Sequence, residues 1–406
     1  MSEHAAASPS HPLTKNPILW GAYLGCSWTW CIGMFFPVLL LRDFGWAGYI
    51  AFAVPNVVGA AAMGWVLRSK EQSVRFVERH PSALWWFSAI TIAFHVFWVI
   101  WITSFIRSAL LLPDTYLFGA GAVTIAFAFS SGRLIRAGMG PQLSLLLWVV
   151  SFGLLIALLV TPHAQPAMDT LMQSPPTASG VEWFIPVSIF GFLLCPYLDI
   201  TFHHARQNLE TPRAGRIGFT LGFGVFFALM IVLTTQYAGV IAGALSGKPF
   251  RPIVAPWLAA WILIHLLCQW IFTVRVHLDR MSTLQPNPML GQRMLFVLAL
   301  IAGGAGYAAP KLSAYAGLSA GEITYRCFLT FYGLVFPAYM LYRVIRSHST
   351  DVPLQRWMMW LATGVAAPMF WMGFIERQSI WLGPGMLVIV CGAYALKGKD
   401  RSVVQV

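Results

Sequence analysis

The stretch GFLLCPYLDITFHHARQ, residues 191–207, sets an acid, two histidines and an arginine directly behind a Cys-Pro pair. Asp199 is the acid. A buried carboxylate of this kind can bind a cation, or take up a proton when desolvation disfavours its charge. If the segment is helical, His203 lies one turn further on and Arg206 about two turns further on, so either can pair with Asp199 along one face. The same three residues can also form a plain salt bridge that anchors the end of a helix. An Asp and a His at this spacing can share a metal ion. The remaining histidines are scattered singly, so no metal site is expected.

Two other sets of residues could do chemistry. His95 and His265 sit singly in LWWFSAITIAFHVFWVIWIT and PWLAAWILIHLLCQWIFT, each between tryptophans and each eight residues before a threonine, Thr103 or Thr273. A neutral imidazole can bond between helices or titrate near neutral pH, and a pair of histidines can hold a haem from both sides. The run GCSWTWCIG offers Gly25, Ser27, Trp28, Thr29 and Trp30, which combine hydroxyls with flat aromatic faces able to cover a ring or a cation. The chain has 18 Trp, so most of them serve packing or the membrane interface. Its six cysteines form no CxxC pair and read as small buried hydrophobes rather than a disulfide framework. No phosphate-binding loop, dinucleotide fingerprint or nucleophile elbow is present. Neither an enzyme nor a bound cofactor is expected.

The elements that must carry these residues are membrane helices. Of 406 residues, 58% are hydrophobic and 10% charged, against about 25% charged in soluble domains. A span needs about 20 mostly apolar residues, and twelve such runs lie near 17–41, 46–67, 83–106, 115–132, 141–161, 183–203, 217–240, 255–274, 294–310, 322–342, 355–375 and 380–396. The fold class is therefore all-α, a polytopic membrane protein with twelve transmembrane helices. Most of the 26 Lys and Arg fall in the tails and in alternate loops. That bias orients both termini to the cytoplasm, in the cytoplasmic (inner) membrane. It also accounts for the net charge of +12, since basic loops face anionic lipid; lipid rather than nucleic acid is the expected partner. The polar start of the chain has no short apolar core with a cleavage site, so no cleaved leader is expected. The expected layout is a cytoplasmic tail (1–16), five spans (17–161), an extracytoplasmic loop (162–182), five spans (183–342), two more spans (343–396) and a cytoplasmic tail (397–406).

The long loop divides the spans five and seven, and spans 3 and 8 align through His95 and His265 with opposite directions in the membrane. An inverted 5+5 repeat follows. Spans 1 and 6 are then equivalent, and both carry helix-breaking residues: Gly21, Gly25, Gly33 and Pro37 in WGAYLGCSWTWCIGMFFPVLLL, and Pro186, Gly191 and Pro196 in FIPVSIFGFLLCPYLDITFHH. Interruptions in corresponding spans point to a transport site.

With five-plus-five spans, interrupted first and sixth helices and two additional C-terminal helices, the chain resembles the LeuT-fold transporters of the amino acid–polyamine–organocation superfamily, which include the sodium:solute symporters. The glycine-rich VPNVVGAAAMG of span 2 is similar to the second helix of such carriers. The resemblance implies a secondary transporter that moves a small solute by alternating access. The solute would meet Gly25, Ser27, Trp28, Thr29, Trp30, Gly191, Cys195, Pro196, His95 and His265. Asp199, His203 and Arg206 would couple or gate, with Na+ or H+ as the coupling ion. Sodium-coupled members use a Ser/Thr pair on the eighth helix, where this chain offers Thr273 alone. A major-facilitator carrier is less consistent with the loop between spans 2 and 3, GWVLRSKEQSVRFVERH, which lacks that group's Gly-x3-Asp pattern. A haem protein built on His95 and His265, and a membrane scaffold without transport, remain as alternatives.

Overall fold

The computed structural model describes residues 16–113, 115, 131–135, 138–161, 180–245, 255–285, 287–346 and 352–395. The described residues are helical, apart from turns and one lone bridge between Tyr315 and Leu318. Eight of their helices are long and apolar enough to cross a membrane, which makes this an all-α polytopic membrane protein. Expected span 4 (115–132) lies almost wholly outside the described residues, as do nearly all of both tails and residues 162–179 of the long loop.

The first expected span is broken. Asn16 caps α1 (Pro17–Trp28) by accepting from the Ile18 N–H, and Pro17 takes a first-turn position where a missing N–H costs nothing. Thr29 and Trp30 leave the helical conformation, and α2 (Cys31–Val66) begins anew. The interruption falls between Gly25 and Gly33. α2 then turns at Gly45, whose φ of 61° and ψ of −153° lie where only glycine is comfortable. Spans 1 and 2 thus meet at a one-residue corner. α3 (Lys70–Arg79) is a short amphipathic helix with a reciprocal Ser69–Gln72 capping box. α4 (Pro81–Leu110) and α5 (Gly140–Val160) follow.

The sixth expected span is broken as well. α6 (Val181–Leu194) runs into a tight 3-10 turn, Cys195–Leu198, and Asp199 then caps α7 (Ile200–Asn208). Pro196 removes a backbone donor at that turn. α8 (Pro212–Leu221) passes through a π segment, Gly222–Phe227, into α9 (Ala228–Leu245). α10 (Pro256–Met281) is two turns longer than the apolar run 255–274, because its face keeps burying side chains beyond Arg275. α11 (Pro288–Ala308) precedes α12 (Ala320–Thr330), which continues through a π segment, Phe331–Val335, into the short α13 (Phe336–Tyr339) and a second π segment, Met340–Ile345. α14 (Val352–Phe374) and α15 (Leu382–Ala395) complete the chain.

Burial separates the core from the periphery. The most apolar stretch of α4 is 72% buried and that of α11 only 17%, so α4 is a central helix and α11 an outer one. Each broken helix presses a glycine onto a π segment. A Cβ on Gly25 would stand 2.7 Å from Phe226 Cβ, and one on Gly191 would stand 2.8 Å from the Tyr332 carbonyl oxygen. Both glycines serve close helix crossings. The likeness between spans 3 and 8 stops at the histidines. Thr103 is exposed and bonds its own helix at the Ile100 carbonyl, whereas Thr273 is fully buried and reaches toward the Cys26 carbonyl at 3.5 Å.

Candidate functional site

The two breaks share a small void. Trp28, Trp30, Ile32 and Gly33 come to it from the first break, Cys195 from the second, and Asn56, Phe192 and Tyr332 close it. Its volume is about 10 Å³, room for about one water. Aromatic side chains fill the rest. Trp28 and Trp30 stand 4.4 Å apart, Phe202 packs 5.0 Å from Trp28, and Tyr332 lies 5.4 Å from Trp30. The Trp28 indole donates to Asn56 Oδ1 at 2.6 Å, and the Trp30 indole donates to the Ser27 carbonyl at the end of α1. Thr29 Oγ1 donates back to the Gly25 carbonyl at 2.7 Å and Ser27 Oγ to the Leu24 carbonyl at 3.2 Å, so both hydroxyls satisfy carbonyls that the break frees. Pro196 is buried within the 3-10 turn, and the Cys195 thiol donates to the Tyr332 carbonyl at 3.2 Å.

His95 supports the first break. Its Nδ1 lies 2.7 Å from the Thr91 carbonyl, which can only accept, so that nitrogen carries the hydrogen. Nε2 is then an acceptor and receives the Cys31 N–H at 3.3 Å, at the start of α2. With both ring nitrogens committed to backbone, His95 has none left for an axial haem bond. His265 sits on a different polar layer. Its Nδ1 lies 2.8 Å from Ser151 Oγ, which also contacts the Gln269 amide at 3.3 Å. His265 Nε2 is buried without a partner.

The acid-His-His-Arg run does not form the expected pairs. Asp199 is a cap, not an interior helix residue, and its Oδ1 turns back to accept from both the N–H and the hydroxyl of Thr201 at 2.7 Å. His203 faces α3 instead: Nδ1 meets Ser73 Oγ at 2.9 Å, Nε2 donates to the Tyr197 carbonyl at 2.9 Å, and the ring stacks on Phe76. Arg206 donates to the carbonyls of Leu67 (2.7 Å), Leu209 (2.6 Å) and Arg68. It closes the C-terminal end of α2, with no bond to Asp199.

The partner that Asp199 faces is His277. Asp199 Oδ2 lies 3.8 Å from His277 Nε2, both side chains are fully buried, and neither atom has a hydrogen bond. His277 Nδ1 meets Ser88 Oγ of α4 at 3.1 Å, and Trp30 packs edge-on to its ring at 5.6 Å. Sequence reading ended span 8 at residue 274 and so passed over His277, which α10 carries, fully buried, beyond that boundary. A usable signal was present. His265, Gln269, Thr273 and His277 recur every four residues and are all buried, which marks a polar stripe continuing past the apolar run.

A second polar cluster lies at the Gly45 end. Arg42 grips Glu322 with two bonds of 2.9 and 2.5 Å and also holds Asp43 at 2.8 Å. Arg326 bonds Glu322, Asp43 and the Phe374 carbonyl. Two cations and two acids thus tie α2, α12 and α14 together. A cavity of about 580 Å³ is lined by this cluster, Arg377 and Phe36. Phe36 lies three residues along α2 from Gly33 of the void, about 4.5 Å of helical rise.

No family model matches the chain, and no curated protein matches it. Among solved structures, the crystal structure of MhsT in complex with L-phenylalanine aligns over 94% of this chain and 99% of that chain, with 12% identity and a TM-score of 0.46. At that level of likeness nothing about this site follows, and the geometry stands on its own.

Proposed function

We propose that the protein is a secondary transporter with a LeuT-like core in its first ten of twelve spans, and that it moves a small solute across the cytoplasmic membrane by alternating access. The observation that carries this reading is the pair of facing breaks. A disrupted helix in lipid is tolerated where it is buried in protein or lines a cavity, and both breaks meet at one void deep in the bundle. The distribution of basic loops supports an orientation with the Gly45 end outside and α7 inside. On that orientation the Arg42–Asp43–Glu322–Arg326 cluster closes the outer path, and the void bounded by Trp28 and Trp30 is the solute site. Binding requires Trp28 or Trp30 to swing aside. The exposed aromatic faces, with the Asn56 amide released from Trp28, suit a solute with a flat apolar body and one polar group. Asp199 is the coupling group on this reading; His203 and Arg206 hold the inner ends of α7 and α2 in register.

The test is thermal stability of the detergent-purified protein in sodium, potassium and choline salts, with a panel of amino acids, nucleobases, sugars and polyamines. A ligand of the folded state raises the melting temperature by mass action. A shift with one solute class, lost in Trp28→Ala, supports the reading. No shift with any solute, and no uptake of any panel member into proteoliposomes, overturns it.

A further inference from the structure

We propose that Asp199 and His277 form a one-proton site bridging α7 and α10, and that a proton is the ion coupled to solute movement. The coupling half of this rests on the transport reading; the proton site itself rests on geometry alone.

Two buried polar atoms without a hydrogen-bond partner face each other. Asp199 Oδ1 is saturated by Thr201, which leaves Oδ2 with free lone pairs aimed at His277 Nε2, 3.8 Å away. Both side chains have no exposed surface. With the Ser88 hydroxyl donating to Nδ1, the neutral imidazole can turn its one N–H toward Oδ2, but the carboxylate and neutral ring together still hold one uncompensated buried charge, a costly arrangement. One proton resolves it. Whether it resides on nitrogen or oxygen, the pair becomes neutral overall, held by a single hydrogen bond once the atoms approach by about 1 Å to ordinary bonding distance. A second proton has no acceptor. The Ser88 hydroxyl at His277 Nδ1 can donate or accept, so it supports the ring in either protonation state by rotating.

The surroundings favour a proton over a metal cation. Sodium needs several oxygen ligands, and calcium six to eight. Here one carboxylate oxygen faces a nitrogen of His277, whose ring packs against Trp30. No group of three or more His, Cys, Asp or Glu able to hold a metal occurs among the described residues. Other titratable groups surround the pair from every side. Tyr23 of α1 and Tyr332 beyond α12 are within electrostatic reach of Asp199, His95 of α4 is within reach of His277, and Arg280 and Asp279 act on Tyr23. Cys31 and Cys195 lie near Tyr332. His203 and His204 of α7 turn away, toward Ser73 and Arg280 respectively.

The pair also sits where a proton can do mechanical work. Asp199 is the first residue after the second break, and His277 lies on a continuous helix. With the proton present, the bond draws α7 against α10. Without it, the pair carries a net negative charge in a dry interior, which favours its parting toward water. The proton enters from one aqueous side while the pair is open to it and leaves to the other, so each cycle moves one proton and leaves the pair unchanged.

The experiment is nitrogen NMR of protein labelled at histidine, titrated with pH, on wild type, Asp199→Asn and His277→Gln. Asn is itself a good N-cap, so Asp199→Asn keeps the start of α7. His277→Gln assigns the resonance. The expected result is that His277 gains or hydrogen-bonds one proton over the titration in wild type and fails to do so over the same range in Asp199→Asn. A His277 resonance indifferent to pH, or identical in wild type and Asp199→Asn, overturns the site. In proteoliposomes, uptake driven by an imposed pH gradient should fall on the order of tenfold in Asp199→Asn, while solute exchange without a gradient persists. A titrating pair in a protein that moves no solute sinks the transport reading and leaves the proton site standing. Gradient-driven uptake unchanged in Asp199→Asn sinks the coupling.

Discussion

The Arg42 guanidinium meets the Glu322 carboxylate through two hydrogen bonds, of 2.9 and 2.5 Å, joining residues 280 positions apart in the chain. One turn along α12, Tyr325 donates to the Cys31 carbonyl at the start of α2 and packs against Phe35. Removing one partner of a buried ion pair leaves the other charge uncompensated and costs about 3–5 kcal/mol. Glu322→Ala should therefore lower the melting temperature markedly. In a background with the exposed Cys327 and Cys391 replaced by Ser, it should also make Cys31 reactive to a polar thiol reagent that leaves wild type unmodified. An unreactive Cys31 in a folded Glu322→Ala protein would show that the ion cluster is not the closure.

Arg206 tests the corrected assignment of the acid-His-His-Arg run. It donates to three carbonyls, and a hydrogen bond from a charged donor is worth roughly 1.5–3 kcal/mol. Arg206→Gln should destabilise the protein by several kcal/mol. Arg206→Lys should rescue little, because a single ammonium cannot span the three carbonyls. Full stability of Arg206→Lys, measured by thermal melting, would mean that charge rather than the fork geometry matters.

The glycine contacts predict a graded series. Gly25→Ala and Gly191→Ala push a methyl to 2.7 and 2.8 Å from neighbouring atoms, and overpacking of this kind costs about 1–3 kcal/mol. Gly224, in the same π segment as Phe226, has open space around its Cβ position, so Gly224→Ala should be neutral or slightly stabilising. Equal melting temperatures for all three variants would contradict the close helix crossings.

His80 gives a pH dependence with a definite sign. It lies between α3 and α4, with Nδ1 2.9 Å from the Tyr339 hydroxyl. Burial, helped by Arg343 and Arg79, lowers its pKa from 6.5 to about 4. The unfolded chain therefore binds a proton that the folded chain refuses, and stability present above pH 6.5 is lost as pH falls toward 4. His80→Gln, which can still bond Tyr339, should show a shallower decline of melting temperature across that window than wild type. Parallel curves for the two proteins would remove His80 from the account.

Much of the frame is legible in the sequence because it follows from local chemistry. Cys195-Pro196 breaks span 6, and the Gly25–Gly33 stretch contains the break in span 1, since proline and glycine act on their own turn of helix. Asp199 stands out as a lone acid in an apolar run. What escapes sequence reading is pairing. His277 is hidden because Arg275, Asp279 and Arg280 around it look like the end of a span, whereas α10 carries them on other faces and keeps His277 buried. Arg42, Asp43, Glu322 and Arg326 lie at or near expected span ends, and only their meeting in space turns four separate charges into one cluster. Asn56 and Tyr332 carry no sequence signal, because an amide and a phenol in apolar helices are ordinary until the breaks face them.

The corner at Gly45 has a mechanical consequence. A helix of 36 residues, if straight, would run about 54 Å, well beyond the roughly 30 Å of hydrocarbon it must cross; the single left-handed glycine folds it into two legs instead. A loop of several residues would absorb relative displacement of those legs in its own torsions. One residue has no slack to give. Any tilt of the leg that holds Trp30 and Arg42 must therefore drag the leg that holds Asn56, so the two behave as the arms of one bell crank.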